Sequence, residues 1–176
     1  MRTLGHPLVL GISGIQGSGK STQARILQAY LNSQFGMTTC ILSIDDFYRD
    51  QQERQLLGER IHPLLKTRGV PGTHHVDAIS AVIDALKRGA DESIISIPQF
   101  DKSTDNPKPA SGWKDQKLPV DVIIFEGWCI GAQTQSAQEL ATPINQLEEQ
   151  EDTEGIFRSY VNKQLEEQYA SLWRKI

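Results

Sequence analysis

A glycine-rich loop and three carboxylates carry the residue types that could do chemistry in this sequence. Gly14-Ile15-Gln16-Gly17-Ser18-Gly19-Lys20-Ser21 fits the phosphate-cradling pattern G-x-x-x-x-G-K-[ST] at every fixed position. Enclosing a polyphosphate with backbone N–H groups demands a tight curl, which glycines at 14, 17 and 19 permit. Lys20 supplies a cation for the outer phosphates and the Ser21 hydroxyl can ligate Mg²⁺. A helix starting there would turn its positive end toward the anion. Gly14, Gln16, Gly17, Ser18, Gly19, Lys20, Ser21 and Thr22 are therefore the expected nucleotide-binding residues.

The carboxylates sit at or just after the ends of apolar runs. Asp45 follows residues 38–44, Asp101 follows residues 93–97, and Glu126 lies at the end of residues 121–127. That is the edge where doubly wound sheets bind ligands. Singly, each is as well explained as a turn former or helix cap. Gathered beside a phosphate loop, they suit phosphoryl transfer to an alcohol. Such transfer requires a neutralised γ-phosphate and an acceptor hydroxyl that is oriented and relieved of its proton. Glu126, after Val122-Ile123-Ile124-Phe125, suits the acid that positions Mg²⁺ or its waters. Asp45 is the candidate base, and the adjacent Asp46 could exchange roles with it. His74-His75 with Asp77 lacks a third and fourth metal ligand, so it is read as part of a substrate or surface loop.

The elements that must position these groups follow from periodicity. Residues 8–13 form a mostly apolar run before the loop, and Ala24, Leu27 and Leu31 repeat at helical spacing up to a stop at Gly36. Residues 38–44 read as a second strand, residues 49–60 as a short exposed helix, and residues 61–75 as a loop rich in proline, glycine and basic residues. Val76, Ile79, Val82, Ile83 and Leu86 mark an amphipathic helix closed by Lys87, Arg88 and Gly89. Residues 93–97 read as a third strand, residues 104–119 as a surface loop, and residues 121–127 as a fourth strand. Residues 133–154, rich in Gln and Glu, read as an exposed, partly helical excursion. Phe157, Tyr160, Val161, Leu165, Tyr169, Leu172 and Trp173 keep helical spacing to the end. Strands alternating with helices predict an α/β fold, a doubly wound, mainly parallel sheet flanked by helices.

The chain of 176 residues suits one domain over 1–176, and its 38% hydrophobic and 23% charged content is ordinary for a soluble globular protein. A net charge of −4 argues against general attraction to nucleic acid or anionic membrane. No run is of signal-peptide or membrane-spanning kind, and Cys40 and Cys129 make no disulfide framework, so a cytoplasmic setting with reduced, buried thiols is expected.

The residues from Gly11 to Thr22, Ser43-Ile44-Asp45-Asp46-Phe47-Tyr48, Arg68-Gly69-Val70-Pro71-Gly72-Thr73-His74, Phe100-Asp101-Lys102-Ser103, and the run from Asp121 through Trp128 stand in a set order. In this the chain resembles the glycerate kinase-like P-loop kinases, of the uridine kinase, phosphoribulokinase and pantothenate kinase superfamily. The resemblance implies ATP and Mg²⁺ as cosubstrates and a small hydroxylated acceptor, D-glycerate first. By position it implies Lys20 and Ser21 on phosphate and metal, Asp45 as base, and Glu126 near the metal. Tyr48, Arg68, His74, Asp101 and Lys102 then belong to segments facing the acceptor. Arg68 and Lys102 suit a carboxylate on it, Arg by a bidentate fork.

The sequence departs from that family where His75 replaces an Asp often found there and where residues 104–112 lack a Gly-Asp-Arg element. Such kinases also continue past a position like Ile176 into a further strand and an Arg-bearing lid. The expected fold is therefore a P-loop core lacking the C-terminal lid segment, either a fragment or a chain whose lid function is missing or supplied otherwise. The alternative functions are a nucleoside or pantothenate kinase, or a nucleotide-binding protein with little or no turnover. A GTP switch is disfavoured because Asn162-Lys163-Gln164-Leu165 lacks the Asp of the base-reading segment.

Overall fold

The computed structural model of the protein describes residues 7–89 and 93–176. Strand β1 (Leu8–Ser13) runs into the glycine loop, and helix α1 (Lys20–Phe35) follows and ends on Gly36. Gly36 takes φ 62°, the left-handed conformation that lets its N–H return to the Asn32 carbonyl. Strand β2 (Thr39–Ser43) gives way to a single 3₁₀ turn, Ile44–Phe47, and then to helix α2 (Gln51–Arg60). A capping box opens α2: the Asp50 carboxylate accepts from Glu53 N–H while the Glu53 side chain accepts from Asp50 N–H. Helix α3 (Val76–Arg88) is strongly amphipathic, burying Val76, Ile79, Ile83 and Leu86. Short strands β3 (Ile94–Ile97), β4 (Phe100–Asp101), β5 (Asn106–Pro107) and β6 (Lys114–Lys117) precede the long strand β7 (Val122–Gly127).

The central sheet is parallel, in the order β1-β7-β2. Every residue of β7 is buried, which is what an unbroken Val-Ile-Ile-Phe run in the middle of a parallel sheet requires. Alternate residues serve two cores. Val122 and Ile124 pack under α1 with Ala24, Leu27 and Leu31. Ile123 and Phe125 face the other way, onto Ile79, Ile83, Leu86, Leu165 and Leu172. Helices therefore cover both faces, the doubly wound α/β arrangement.

The second face is completed by the C-terminal helical run: α4 (Ala137–Leu140) and α5 (Gln146–Glu151) form the exposed excursion, then α6 (Ile156–Gln164), a π-helical turn over Leu165–Tyr169, and α7 (Ala170–Trp173). The π turn carries Leu165 and Tyr169 into the core alongside Leu172.

Three expectations are corrected. The third predicted strand does not join the parallel sheet. Residues of β3 pair antiparallel with β6 as a separate two-stranded ribbon. Only Ile97 of that strand is fully buried and Ile94 is exposed, so the segment has apolar cover for one end, not for two faces. The segment 104–119, expected as loop, contains β5, a 3₁₀ turn at Ala110–Gly112, and β6. The sequence of β6, Lys-Asp-Gln-Lys, pairs through its backbone and one side-chain bond, Ser96 Oγ donating to Asp115 Oδ1 at 2.7 Å, and shows no apolar periodicity to announce it. Helix α2 is also less exposed than expected, because Arg54 is buried in it.

Candidate active site

The loop between β1 and α1 curls on glycines. Gly17 and Gly19 hold φ of 78° and 83°, and a Cβ at Gly14 would come within 2.8 Å of Ser18 Oγ. No side chain caps the start of α1 and its first turn carries no acid. An uncapped, acid-free helix start after such a curl is a ready anion cradle. Lys20 Nζ donates to the Ile15 carbonyl at 2.9 Å across the loop.

Strand pairing then brings the acids to this cradle. The register sets Ile12 of β1 and Ser43 of β2 opposite Glu126 of β7. Ser21 Oγ donates to Glu126 Oε1 at 2.9 Å. A hydroxyl and a carboxylate side by side fit Mg²⁺, which binds few protein oxygens and fills its remaining positions with water and phosphate oxygens. Among the described residues, no group of three or more His, Cys, Asp or Glu gathers as an all-protein metal cage.

Two residues beyond Ser43, the 3₁₀ turn sends Asp45 and Asp46 in different directions. Asp45 lines the same cavity, of about 670 Å³, as Lys20, Ser21 and Glu126. Its Oδ1 accepts from Tyr48 Oη at 2.9 Å and its Oδ2 from Lys102 Nζ at 2.6 Å. Burial pushes the Asp45 carboxyl up, but Lys102 and Tyr48 outweigh it and hold it below the ordinary carboxylate range. Asp46 turns away to accept from Phe100 N–H at 3.2 Å and Gln99 Nε2 at 3.1 Å. Burial and the neighbouring Asp45 charge push Asp46 upward. The adjacent carboxylates thus have separate environments, one facing the cavity and one tying β4 to the turn.

Of the expected site residues, Gln16, Gly17, Lys20, Ser21, Asp45, Tyr48, Arg68, Lys102 and Glu126 line one cavity. Gly14, Ser18, Gly19 and Thr22 lie in the same loop and helix start without lining it. Two expected acceptor-facing residues stand elsewhere. Asp101 is outside the cavity wall and accepts from Ser103 N–H and Oγ, a local turn bond of the kind short acidic side chains make. His74 is wholly buried behind the wall, its ring stacked on Tyr48 at 4.4 Å between centroids.

Several lining residues were not anticipated: Ser43, Arg54, Lys66, Thr67, Asp105 and Trp128. Arg54 is 1% exposed and donates to the carbonyls of Arg49, Lys66 and Asp105 while pairing with the Asp105 carboxylate at 2.7 Å. Asp105, at φ 56°, also receives Arg68, whose guanidinium lies 5.6 Å from the Phe100 ring centre. The helix Gln51–Arg60 holds two arginines, Arg54 and Arg60, and two glutamates in a mostly polar run, and nothing in that run marks Arg54 as the buried one. Trp128 Nε1 donates to the Gly69 carbonyl at 2.8 Å, joining the end of β7 to the basic loop.

The cavity carries five cations (Lys20, Arg54, Lys66, Arg68, Lys102) against three acids (Asp45, Asp105, Glu126), although the chain as a whole is negative. Such a local excess of positive charge suits a polyanion, and net charge hides it.

A parallel sheet whose first strand feeds a glycine cradle, with an acid on the adjacent strand touching the loop serine, defines the P-loop nucleotide-binding fold. No protein-family model matches the chain. An uncharacterized kinase of Schizosaccharomyces pombe, mug58, is 38% identical over 134 residues, 72% of this chain and 48% of the relative. The chloroplastic D-glycerate 3-kinase of Arabidopsis thaliana is 30% identical over 176 residues, 96% of this chain and 36% of the relative. The solved structure of a D-glycerate 3-kinase from Cryptococcus neoformans superposes with a TM-score of 0.80 at 30% identity, covering 97% of this chain and 61% of that one. By fold the chain is a P-loop nucleotide-binding domain, and these relatives and structural neighbours are kinases of that superfamily. It spans about half or less of the length of these curated relatives.

Proposed function

We propose that the protein transfers the γ-phosphoryl group of ATP to a hydroxyl of a small, negatively charged metabolite, D-glycerate or a similar hydroxy acid. The observation that carries this is Asp45, held below the ordinary carboxylate range in a cation-rich cavity shared with Lys20, Ser21 and Glu126. The D-glycerate 3-kinases among its homologues support the acceptor.

The glycine cradle and Lys20 would bind the triphosphate. Ser21 and Glu126 would hold Mg²⁺, which supplies charge neutralisation at the phosphates when bound. Asp45 would accept the proton of the acceptor hydroxyl as its oxygen bonds to the γ-phosphorus and the bond to ADP breaks. Arg68 would pair with the acceptor carboxylate, which competes with Asp105 for it. Phosphoryl transfer of this loose type asks mainly for positioning and electrostatic stabilisation, and the cavity offers both.

The test is ADP release with ATP and Mg²⁺ across a panel of acceptors. D-glycerate or a related hydroxy acid should stimulate release well above the no-acceptor rate. Stimulation by pantothenate or a nucleoside alone would move the acceptor to another member of the superfamily. No stimulation by any of them would refute the kinase proposal.

A further inference from the structure

Tyr169 lies far from the cavity in sequence, yet its hydroxyl meets two groups of the basic loop. It is wholly buried on the π-helical turn of the C-terminal run. Its Oη accepts from Gly72 N–H at 3.1 Å and lies 2.6 Å from His74 Nδ1. With one lone pair taken by Gly72, the phenol has its own proton free for the imidazole. That makes Nδ1 the acceptor and Nε2 the protonated nitrogen. The imidazole is neutral in this setting, since burial pushes its pKa down to about 3. Its Nε2 is buried with no partner among the described residues, so Tyr169 is the only side-chain hydrogen bond that orients the ring.

The oriented ring continues the contact chain into the cavity. His74 stacks on Tyr48, with centroids 4.4 Å apart and planes 23° from parallel. Tyr48 in turn donates to Asp45 Oδ1 at 2.9 Å. The backbone runs alongside: Arg49 N–H donates to Thr73 O, and His75 N–H to Phe47 O, both at 2.8 Å. The loop is also tight at Gly72, where a Cβ would come 2.7 Å from the Tyr160 ring. Side chains of the C-terminal helices therefore fix the segment on which Tyr48 leans.

We infer that Tyr169 is a positioning residue for Asp45, acting through His74 and Tyr48. Its hydroxyl selects the His74 tautomer and ring plane, the ring sets the tilt of Tyr48, and the Tyr48 hydroxyl sets which Asp45 oxygen faces the acceptor. The catalytic consequence rests on the proposed kinase reaction, whereas the structural coupling does not.

Two measurements separate them. In protein without ligands, the ¹³C signal of the Asp45 carboxyl and the ¹⁵N signals of the His74 ring are compared between wild type and Tyr169→Phe. Both are expected to move, with the wild-type ring showing the Nε2–H pattern. In turnover with ATP and the best acceptor, Tyr169→Phe should lower kcat about 10-fold with ATP affinity unchanged, as expected for losing one buried hydrogen bond that positions a group. Adding Tyr169→Phe to Tyr48→Phe should then cost little more, because the two act in series. His74→Gln keeps an acceptor for Tyr169 but removes the stacked ring, and should move the Asp45 signal if Tyr169→Phe does not fold. Unmoved Asp45 signals in both variants, or fold-changes that simply multiply, would overturn the inference. Absence of turnover in wild type would sink the kinase proposal alone and leave the spectroscopic comparison to decide.

Discussion

Replacing Asp45 and Asp46 in turn separates chemistry from architecture at two neighbouring carboxylates. Asp45→Asn removes the proton acceptor but leaves an amide oxygen for the Tyr48 hydroxyl. It also breaks the ion pair with Lys102, whose side chain is 60% exposed, so the pair contributes no more than about 1 kcal/mol. For a chain of this length such a loss lowers Tm by about 2–4 °C. Turnover should fall about 10²–10⁴-fold, the range for loss of a general base, while ATP binding is retained. Asp46→Asn behaves oppositely. An amide offers one acceptor oxygen where Phe100 N–H and Gln99 Nε2 now use two. The lost bond costs about 1–3 kcal/mol, offset in part because the repulsion from Asp45 that pushes Asp46 upward is relieved. Its Tm should fall by several degrees with turnover of the folded fraction reduced far less. The assays are calorimetric ATP titration, acceptor-dependent ADP release and thermal melting on both variants. Turnover above a tenth of wild type in Asp45→Asn, with a hundredfold loss in Asp46→Asn, would refute the assignment of base to Asp45.

Lys20→Ala should weaken ATP binding by about 1–3 kcal/mol, the cost of losing a charge-assisted hydrogen bond to phosphate, with thermal stability unchanged; titration with ATP checks it. Asp105→Asn leaves the buried Arg54 with carbonyls alone, and because Asp105 is 31% exposed the loss belongs at or below the low end of the roughly 3–5 kcal/mol range for a broken buried pair. Burial pushes the Asp105 carboxyl up but Arg54 and Arg68 hold it below its ordinary value, so its contribution is complete above the usual carboxylate range and lost as pH falls through the folded-state value. Urea midpoints of wild type and Asp105→Asn should therefore begin to converge as pH falls to the ordinary aspartate value of 3.8 and draw closer below it. Gly72→Ala combines φ of 102° with a Cβ 2.7 Å from the Tyr160 ring, and should destabilise by about 2 kcal/mol or more in the same assay.

Legibility in the sequence tracked how local the determining physics is. β1, the glycine loop and α1 were readable because each residue's role there is set by its immediate neighbours: apolar run, φ-positive glycines, helical spacing, and Gly36 as the stop. β7 was readable because a buried parallel strand must be continuously apolar. The ribbon of β3 and β6 was not, since Ile94–Ile97 carries the same residue types as a buried strand and only its partner decides where it goes. Nothing in Lys114–Lys117 identifies that partner.

The same distinction governs the site. That Asp45 and Glu126 line one cavity was legible because strand ends are predictable and the sheet edge collects them. Asp101, placed by the same rule, lies outside that cavity wall. Its strand left the main sheet, and with it went the reason to expect the side chain in the cavity. Arg54 and Asp105 were invisible for a different cause. They lie 51 residues apart and each is ordinary in its own stretch, a polar helix and a polar loop. Their meeting is what keeps a guanidinium buried beside the cavity, so the positive character of that wall depends on two residues that sequence spacing cannot pair. His74 joins both cases. Its segment was found, yet its burial under the C-terminal helix turns it from a group that would touch an acceptor into one that shapes the wall through Tyr48.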